Sequence, residues 1–371
     1  MSERILITGG AGFIGRHLAK VLLADGNRVR VLDSLVEQVH GEAAASVLHL
    51  DPAIEFIHGD VRDRATVAGA LQDVDAVVHL AAEVGVGQSM YSIERYVSVN
   101  ELGTATLLEA LLERPVRRIV VASSMSIYGE GLYRRNDGRL VEDAERRTLT
   151  EGAWDPVDAQ GEPLTPVPTP EWKRPALASI YAINKYVQER MILTTARAYG
   201  MEAVALRLWN VYGPGQALSN PYTGVLAIFA ARLLNGRRPL VFEDGRQIRD
   251  FVHVSDVAAA FRRALCEPGA AGHALNIASG ESLTIVEVAH GLAAAMGCDE
   301  LEPEITGQAR TGDVRHCIPD ITAARSALGF APAIRFRDGI AGLADWLRLQ
   351  RNAEDRVAEA RQELERRGLV A

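Results

Sequence analysis

A doubly wound α/β fold, with helices on both faces of a parallel sheet, is predicted by three observations. Short apolar runs alternate with amphipathic stretches through the first half of the chain, and a glycine-rich turn joins the first run to the first amphipathic stretch. After about residue 211 the texture changes, which predicts a smaller second α/β lobe. The 371 residues are enough for two lobes with a sizeable core. With 48% hydrophobic and 24% charged residues the composition is ordinary and globular. A net charge of −8 offers no footprint for nucleic acid, and no basic cluster points to a membrane surface. Nor does any stretch approach the ~18 apolar residues of a membrane span. Cys266, Cys298 and Cys317 lack paired spacing, so neither a disulfide framework nor a metal centre is expected. The chain opens directly into a strand-like run with no signal-peptide layout, and a reducing cytoplasm is the expected setting.

The strands are expected at 4–8, 28–33, 54–58, 76–80 and 117–123, with helices near 13–25, 63–72 and 92–113. A long helix over 179–199 and a buried strand over 203–209 complete a first domain of residues 1–210. Loops at Gly213-Pro214-Gly215 and Asn220-Pro221 open the second lobe, residues 211–350, although the chain is free to cross between lobes more than once. Residues 351–371 are rich in Arg and Glu and predict a solvated terminal helix. The segment from about 130 to 178 holds six of the fifteen prolines and little periodicity, with Trp154 and Trp172 as anchors. A lid or substrate-facing loop and a plain surface insertion both remain open for it.

Thr8-Gly9-Gly10-Ala11-Gly12-Phe13-Ile14-Gly15 lies between the first strand and the first helix. Glycines there permit a tight turn, a close approach of backbone to a pyrophosphate, and tight helix–strand packing. This context makes the sheet Rossmann-type. Asp33, at the end of the second strand, can accept from both hydroxyls of an adenosine ribose and would repel a 2′-phosphate, which selects NAD over NADP. A strand-ending turn is the alternative role for Asp33. Asp60-Val61 is a candidate adenine contact or a plain turn.

Tyr181 and Lys185 stand at i and i+4 on one helix face. A phenol near pKa ~10 is a poor base, and lowering it by ~3 units requires about 4 kcal/mol of stabilisation of the phenolate. A neighbouring ammonium and a positive nicotinamide ring supply that field. Only Lys20, Lys173 and Lys185 of the 40 basic residues are lysine, which makes the placement of Lys185 informative. Upstream, the strand Val120-Val121-Ala122-Ser123-Ser124-Met125-Ser126 ends in hydroxyls at the crevice, where Ser124 or Ser126 can bond a reacting oxygen.

These motifs, with Leu80-Ala81-Ala82, Asn210-Val211-Tyr212-Gly213-Pro214 and Arg249-Asp250-Phe251-Val252-His253, occur in an order that resembles the extended short-chain dehydrogenase/reductase family. The resemblance runs from residue 4 to about 345, and is to its nucleotide-sugar epimerases and dehydratases. It implies a Ser124–Tyr181–Lys185 triad. It implies NAD contacts from Gly9, Gly12, Phe13, Ile14, Gly15, Asp33, Asp60, Val61, Leu80, Ala81, Ala82, Tyr181 and Lys185. It also implies that Ser126 touches the sugar while Asn210, Arg249 and Arg310 face a nucleotide diphosphate, for which planar, permanently charged arginines are apt. His253 reads as a packed core residue.

Dehydratases of this family carry Thr-Asp-Glu where this chain has Ser124-Met125-Ser126, and Met125 cannot move a proton. C4 epimerisation of a nucleotide-diphosphate sugar through a transient ketone needs no further acid or base. A finer resemblance, through Ala81–Tyr91 and Asn220–Gly224, is to the branch acting on dTDP-L-rhamnose at C4. Epimerisation of UDP-glucose or UDP-glucuronate, net reduction of a keto sugar, and NAD sensing without catalysis are the alternatives. The helices at 92–113 and 179–199 predict a homodimer through a four-helix bundle, as the resemblance implies.

Overall fold

A computed structural model describes residues 2–41, 50–146, 153–218, 224–309, 312–350 and 357–370. Seven parallel strands form the main sheet: β1 (Arg4–Thr8), β2 (Arg28–Asp33), β3 (Glu55–His58), β4 (Ala76–His79), β5 (Arg118–Ser124), β9 (Glu202–Leu208) and β13 (Ala274–Ile277). Their spatial order is β13-β9-β5-β4-β1-β2-β3. The order reverses between β1 and β4, so a crevice opens over the C-terminal ends of these strands. Both faces are covered, which is why β1, β4 and β5 are near-continuous apolar runs rather than alternating ones. Ile5, Ile7 and Val120 point to one face, packed with Leu18, Val257 and Phe261 of the helices Phe13–Ala24 and Val254–Cys266. Leu6, Val77 and Ile119 point to the other, against Leu107, Leu111 and Ile192 of the helices Gly103–Glu113 and Ile180–Ala198.

The boundary expected at residue 210 is crossed. The helix Val254–Cys266 and strand β13 return to the first lobe; a run as short as Ala274–Ile277 carries too little periodicity to say which sheet it joins. The second lobe has its own core, in which Tyr212, Phe229, Phe251, Leu292, Phe336 and Leu343 meet. It contains the strands β10 (Asn210–Tyr212), β12 (Ile248–His253) and β14 (Ser282–Thr284), in that order, and a separate pair, β11 (Leu240–Val241) with β15 (Glu304–Ile305).

Three further expectations are modified. The helix expected at 92–113 contains a π turn, Ser98–Leu102, between the α-helical Ile93–Val97 and Gly103–Glu113. The 130–178 segment contributes β6 (Leu132–Arg134), β7 (Leu140–Val141) and β8 (Thr165–Thr169) to a small sheet completed by β16 (Ile318–Pro319). The fully buried Arg315 ties it down, reaching Asp155 at 2.6 Å and Glu243 at 3.0 Å. Of the two expected anchors Trp154 is buried, whereas Trp172 is 60% exposed. The terminal helix Val357–Arg366 is not simply solvated: Ala360 and Leu364, four residues apart, are buried.

Candidate active site

A crevice of about 1050 Å³ lies over the strand ends and is lined from both lobes. Its floor is the glycine turn. Gly9 has φ +68°, and a Cβ there would stand 2.7 Å from the Ala81 nitrogen. At Gly15 a Cβ would come within 2.5 Å of Gly10, so the helix can approach the turn only without a side chain. Gly12 caps the helix Phe13–Ala24 with no side-chain acceptor, and the first turn holds no acid. All five residues Gly9, Gly12, Phe13, Ile14 and Gly15 line the crevice. The N–H groups of Gly9 and Gly12 are committed to the carbonyls of Leu32 and Gly9, so it is Phe13, Ile14 and Gly15, in the first helical turn, that offer N–H groups and the positive helix end, which suits a pyrophosphate.

Asp33, at the tip of β2, lines the crevice but is already engaged. It accepts from the N–H groups of Ala11 at 3.0 Å and Leu35 at 2.9 Å, with His40 at 3.5 Å, and so clamps the glycine turn. Each oxygen keeps acceptor capacity for a ribose hydroxyl. Asp60 is clasped by Arg62 at 2.6 and 2.9 Å, which holds its carboxyl below the usual range. Val61 packs into the core beneath it, and Leu80, Ala81 and Ala82 form the crevice wall after β4.

Ser124 ends β5, and Tyr181 lies in the first turn of Ile180–Ala198, a helix capped by Ser179, which accepts from the Ala182 N–H at 3.1 Å. Tyr181 and Ser124 line the same crevice, and the Tyr181 N–H donates to Ser89 Oγ at 3.1 Å. Lys185 is buried in the same crevice, its Nζ donating to Gln188 Oε1 at 2.8 Å. A lowered phenol is expected from the sequence, yet burial pushes Tyr181 up to about 12, with the neighbouring Ser124 opposing. Burial also brings Lys185 down to about 7, with Glu189 opposing. The protein groups alone keep the phenol protonated, so the deprotonating field has to include the positive ring expected of the cofactor.

On the substrate side Met125 is buried, while Ser126 Oγ is buried without a hydrogen-bond partner. Asn210 donates to the Asp250 carbonyl at 3.0 Å. Arg249 lines the crevice but is braced: it donates to the carbonyls of Ile248 and Arg315 at 2.9 Å and to that of Val314, and lies 3.3 Å from Asp313. Arg310 and Asn220-Pro221-Tyr222-Thr223 fall outside the described residues. His253 caps the helix Val254–Cys266 by accepting from the Ser255 N–H, and burial lowers its pKa.

Some lining residues were not anticipated. Ala360, Leu364 and Leu369 of the terminal segment close part of the crevice mouth. Leu364 reaches Gly87, and Arg367 stacks on Tyr91 at 4.3 Å. On the second lobe Arg361 reaches Gln308 at 2.7 Å. A two-residue apolar stripe in a charged tail was the only signal. Of the described residues in 130–178, Ala178 alone lines the crevice, so that segment is chiefly a packed insertion. Among the described residues no helix is long and apolar enough to cross a membrane, and no cluster of His, Cys, Asp and Glu could hold a metal ion.

Residues 5–153 and 155–278 match the NAD dependent epimerase/dehydratase family, and the chain belongs to it. It is 36% identical to a dTDP-L-rhamnose 4-epimerase of Burkholderia thailandensis, over 93% of this chain and 95% of that one. Among solved structures it resembles a UDP-glucose 4-epimerase of Thermotoga maritima with UDP-glucose, at 30% identity, TM-score 0.76 and 93% and 98% coverage. It also resembles a UDP-glucose 4-epimerase of Thermus thermophilus with NAD, at 31% identity, TM-score 0.73 and 94% and 100% coverage.

Proposed function

We propose that this member of the family interconverts the C4 epimers of a nucleotide-diphosphate sugar through a transient 4-ketone, with dTDP-L-rhamnose as the favoured substrate. NAD, when bound over the glycine turn, supplies the acceptor and donor of hydride. Tyr181 takes the proton of the C4 hydroxyl, Ser124 hydrogen-bonds the same oxygen, and Lys185 stabilises the phenolate. Tyr181 returns the proton once the other face of the ketone has been reduced. Backbone N–H groups at residues 13–15, with Gly9 and Gly12 giving the close approach, and the carboxylate of Asp33 hold the cofactor; Asp60, Val61, Leu80, Ala81 and Ala82 wall it in. Ser126 and Asn210 meet the sugar end and Arg249, with Arg310, the diphosphate.

The observation that carries this reading is the turn after β5. Its hydroxyls flank a buried Met125, so it presents no titratable group of the kind that elimination of water needs. The curated relative supports the dTDP-sugar, and the solved relative with UDP-glucose supports UDP-hexoses as the second reading. A homodimer is part of the proposal. Ile93, Val97, Leu102 and Ile183 are exposed on the helical segments expected to pair.

Incubation of the purified protein with dTDP-L-rhamnose, UDP-glucose and UDP-glucuronate, read by product stereochemistry, tests the proposal. Inversion at C4 of the dTDP-sugar without net change in nicotinamide absorbance is expected. Dehydration, or stoichiometric consumption of NADH with no epimer formed, would contradict it.

A further inference from the structure

Beneath Lys185 runs a chain of buried polar groups that the proposed reaction does not otherwise use. Gln188, Thr104, His79 and Thr8 are each at most 1% exposed and come from the catalytic helix, the helix Gly103–Glu113, β4 and β1. Lys185 Nζ donates to Gln188 Oε1 at 2.8 Å, and Gln188 Nε2 donates to Thr104 Oγ1 at 2.9 Å. The Thr104 hydroxyl donates its only proton to the Asn100 carbonyl at 2.6 Å. Its contact with His79 Nε2 at 3.0 Å is then a hydrogen bond only if the imidazole donates, which leaves Nδ1 to accept from the Thr8 hydroxyl at 2.7 Å. Burial and the nearby Lys185 push His79 down to about 3, so the ring stays neutral.

This bonding fixes the amide of Gln188. Reversed, it would turn NH₂ against the ammonium and its carbonyl against a hydroxyl with no proton left. We propose that Gln188 is a positioning residue of the oxidoreduction site: its carbonyl, aimed by Thr104, holds Lys185 as a charged ammonium within the crevice. The assignment of a role to that ammonium rests on the reaction proposed above.

The other charged and titratable groups around Lys185 are largely committed elsewhere. Glu189, on the same helix, is shared between Arg207 of β9 at 2.7 Å and Ser123 of β5 at 2.6 Å. Glu101 of the π turn accepts from Asn184, and Glu83 after β4 pairs with Arg95 at 2.8 Å. Tyr96 donates to Gln88, Tyr128 is bound to Arg207 and Asn276, and Tyr181 neighbours Ser124. Gln188 is therefore the one side chain among the described residues that directly accepts from Nζ, and a hydrogen bond to a buried cation favours its charged form.

The scarcity of lysine makes a direct test practical. Acetylation of the full-length protein by acetic anhydride across a pH series, followed by peptide mass analysis, reads Lys185 against the exposed Lys20 as internal reference. Gln188→Leu is expected to lower the labelling midpoint of Lys185 by about one pH unit, equivalent to about tenfold in proton affinity. Gln188→Glu is expected to raise it, with Lys20 unmoved in both. The descending limb of the kcat–pH profile should shift in the same two directions. Wild-type midpoints in both variants would overturn the proposal; if Gln188→Leu does not fold, an unshifted Gln188→Glu suffices to do so. Failure of the sugar assignment would look different, as inactivity on every nucleotide sugar with the labelling shifts intact.

Discussion

The two halves of the crevice are built from different material. The cofactor half uses backbone: a turn whose glycines admit no side chain, an uncapped helix end, and one carboxylate bonded to main-chain N–H groups. In the substrate half, side chains are braced by distant partners. Arg249 is held by the carbonyl of Arg315, 66 residues away, and Asn210 by that of Asp250. Preorganisation therefore comes from local chain geometry on one side and from tertiary contacts on the other. Substitutions should separate binding of cofactor from binding of sugar accordingly.

The largest effect should fall where the halves meet. Tyr181→Phe is expected to lower kcat by about 10²–10⁴-fold, the range for loss of a general base, while bound NAD measured in the purified protein is unchanged. Retained turnover would remove Tyr181 from the chemistry. On the substrate side alone, Arg249→Leu should raise KM for the nucleotide sugar about 10–100-fold, in line with about 1.5–3 kcal/mol for a hydrogen bond to a charged group. An equal loss of NAD affinity would break the division into halves.

A smaller effect is expected from removing residues 351–371, which takes away the apolar cover of Ala360, Leu364 and Leu369. KM for the sugar should rise about tenfold, near the worth of one buried leucine, with kcat almost unchanged. Steady-state kinetics with NAD in excess would check this. At neutral pH, turnover is untouched by a further effect, which falls on acid stability beneath the cofactor half. Burial pushes the folded His79 down to about 3 from the ordinary imidazole value of 6.5, so below pH 6.5 the unfolded chain binds the extra proton. Its contribution is present above pH 6.5 and is lost as pH falls toward 3. Thermal melting across that window should show a slope that His79→Gln reduces; an identical slope would place the acid sensitivity elsewhere.

What was legible in the sequence follows the same division. The glycine turn, Asp33, the serines at the end of β5 and the Tyr181–Lys185 pair are recognisable because each depends on spacing within one strand, turn or helix. Strand β13 was not, since four residues carry too little periodicity to say which sheet they join. Nor were β6, β7 and β8, whose sheet is completed by Ile318–Pro319 from far along the chain. The bracing of Arg249 and the chain from Lys185 through Gln188 to His79 arise only when separate elements pack together. For the terminal helix, two apolar positions in a charged segment read as solvated surface, and only the packing of Leu364 beside Gly87 across the crevice mouth distinguishes them.

In the proposed reaction Tyr181 and Lys185 serve oxidation and then reduction at the same carbon. Turnover of dTDP-L-rhamnose carrying deuterium at C4 puts this to the test. A C4-inverted product that keeps the deuterium is expected, with no net change in nicotinamide absorbance. Loss of the label to solvent, or inversion that survives in Tyr181→Phe, would contradict it.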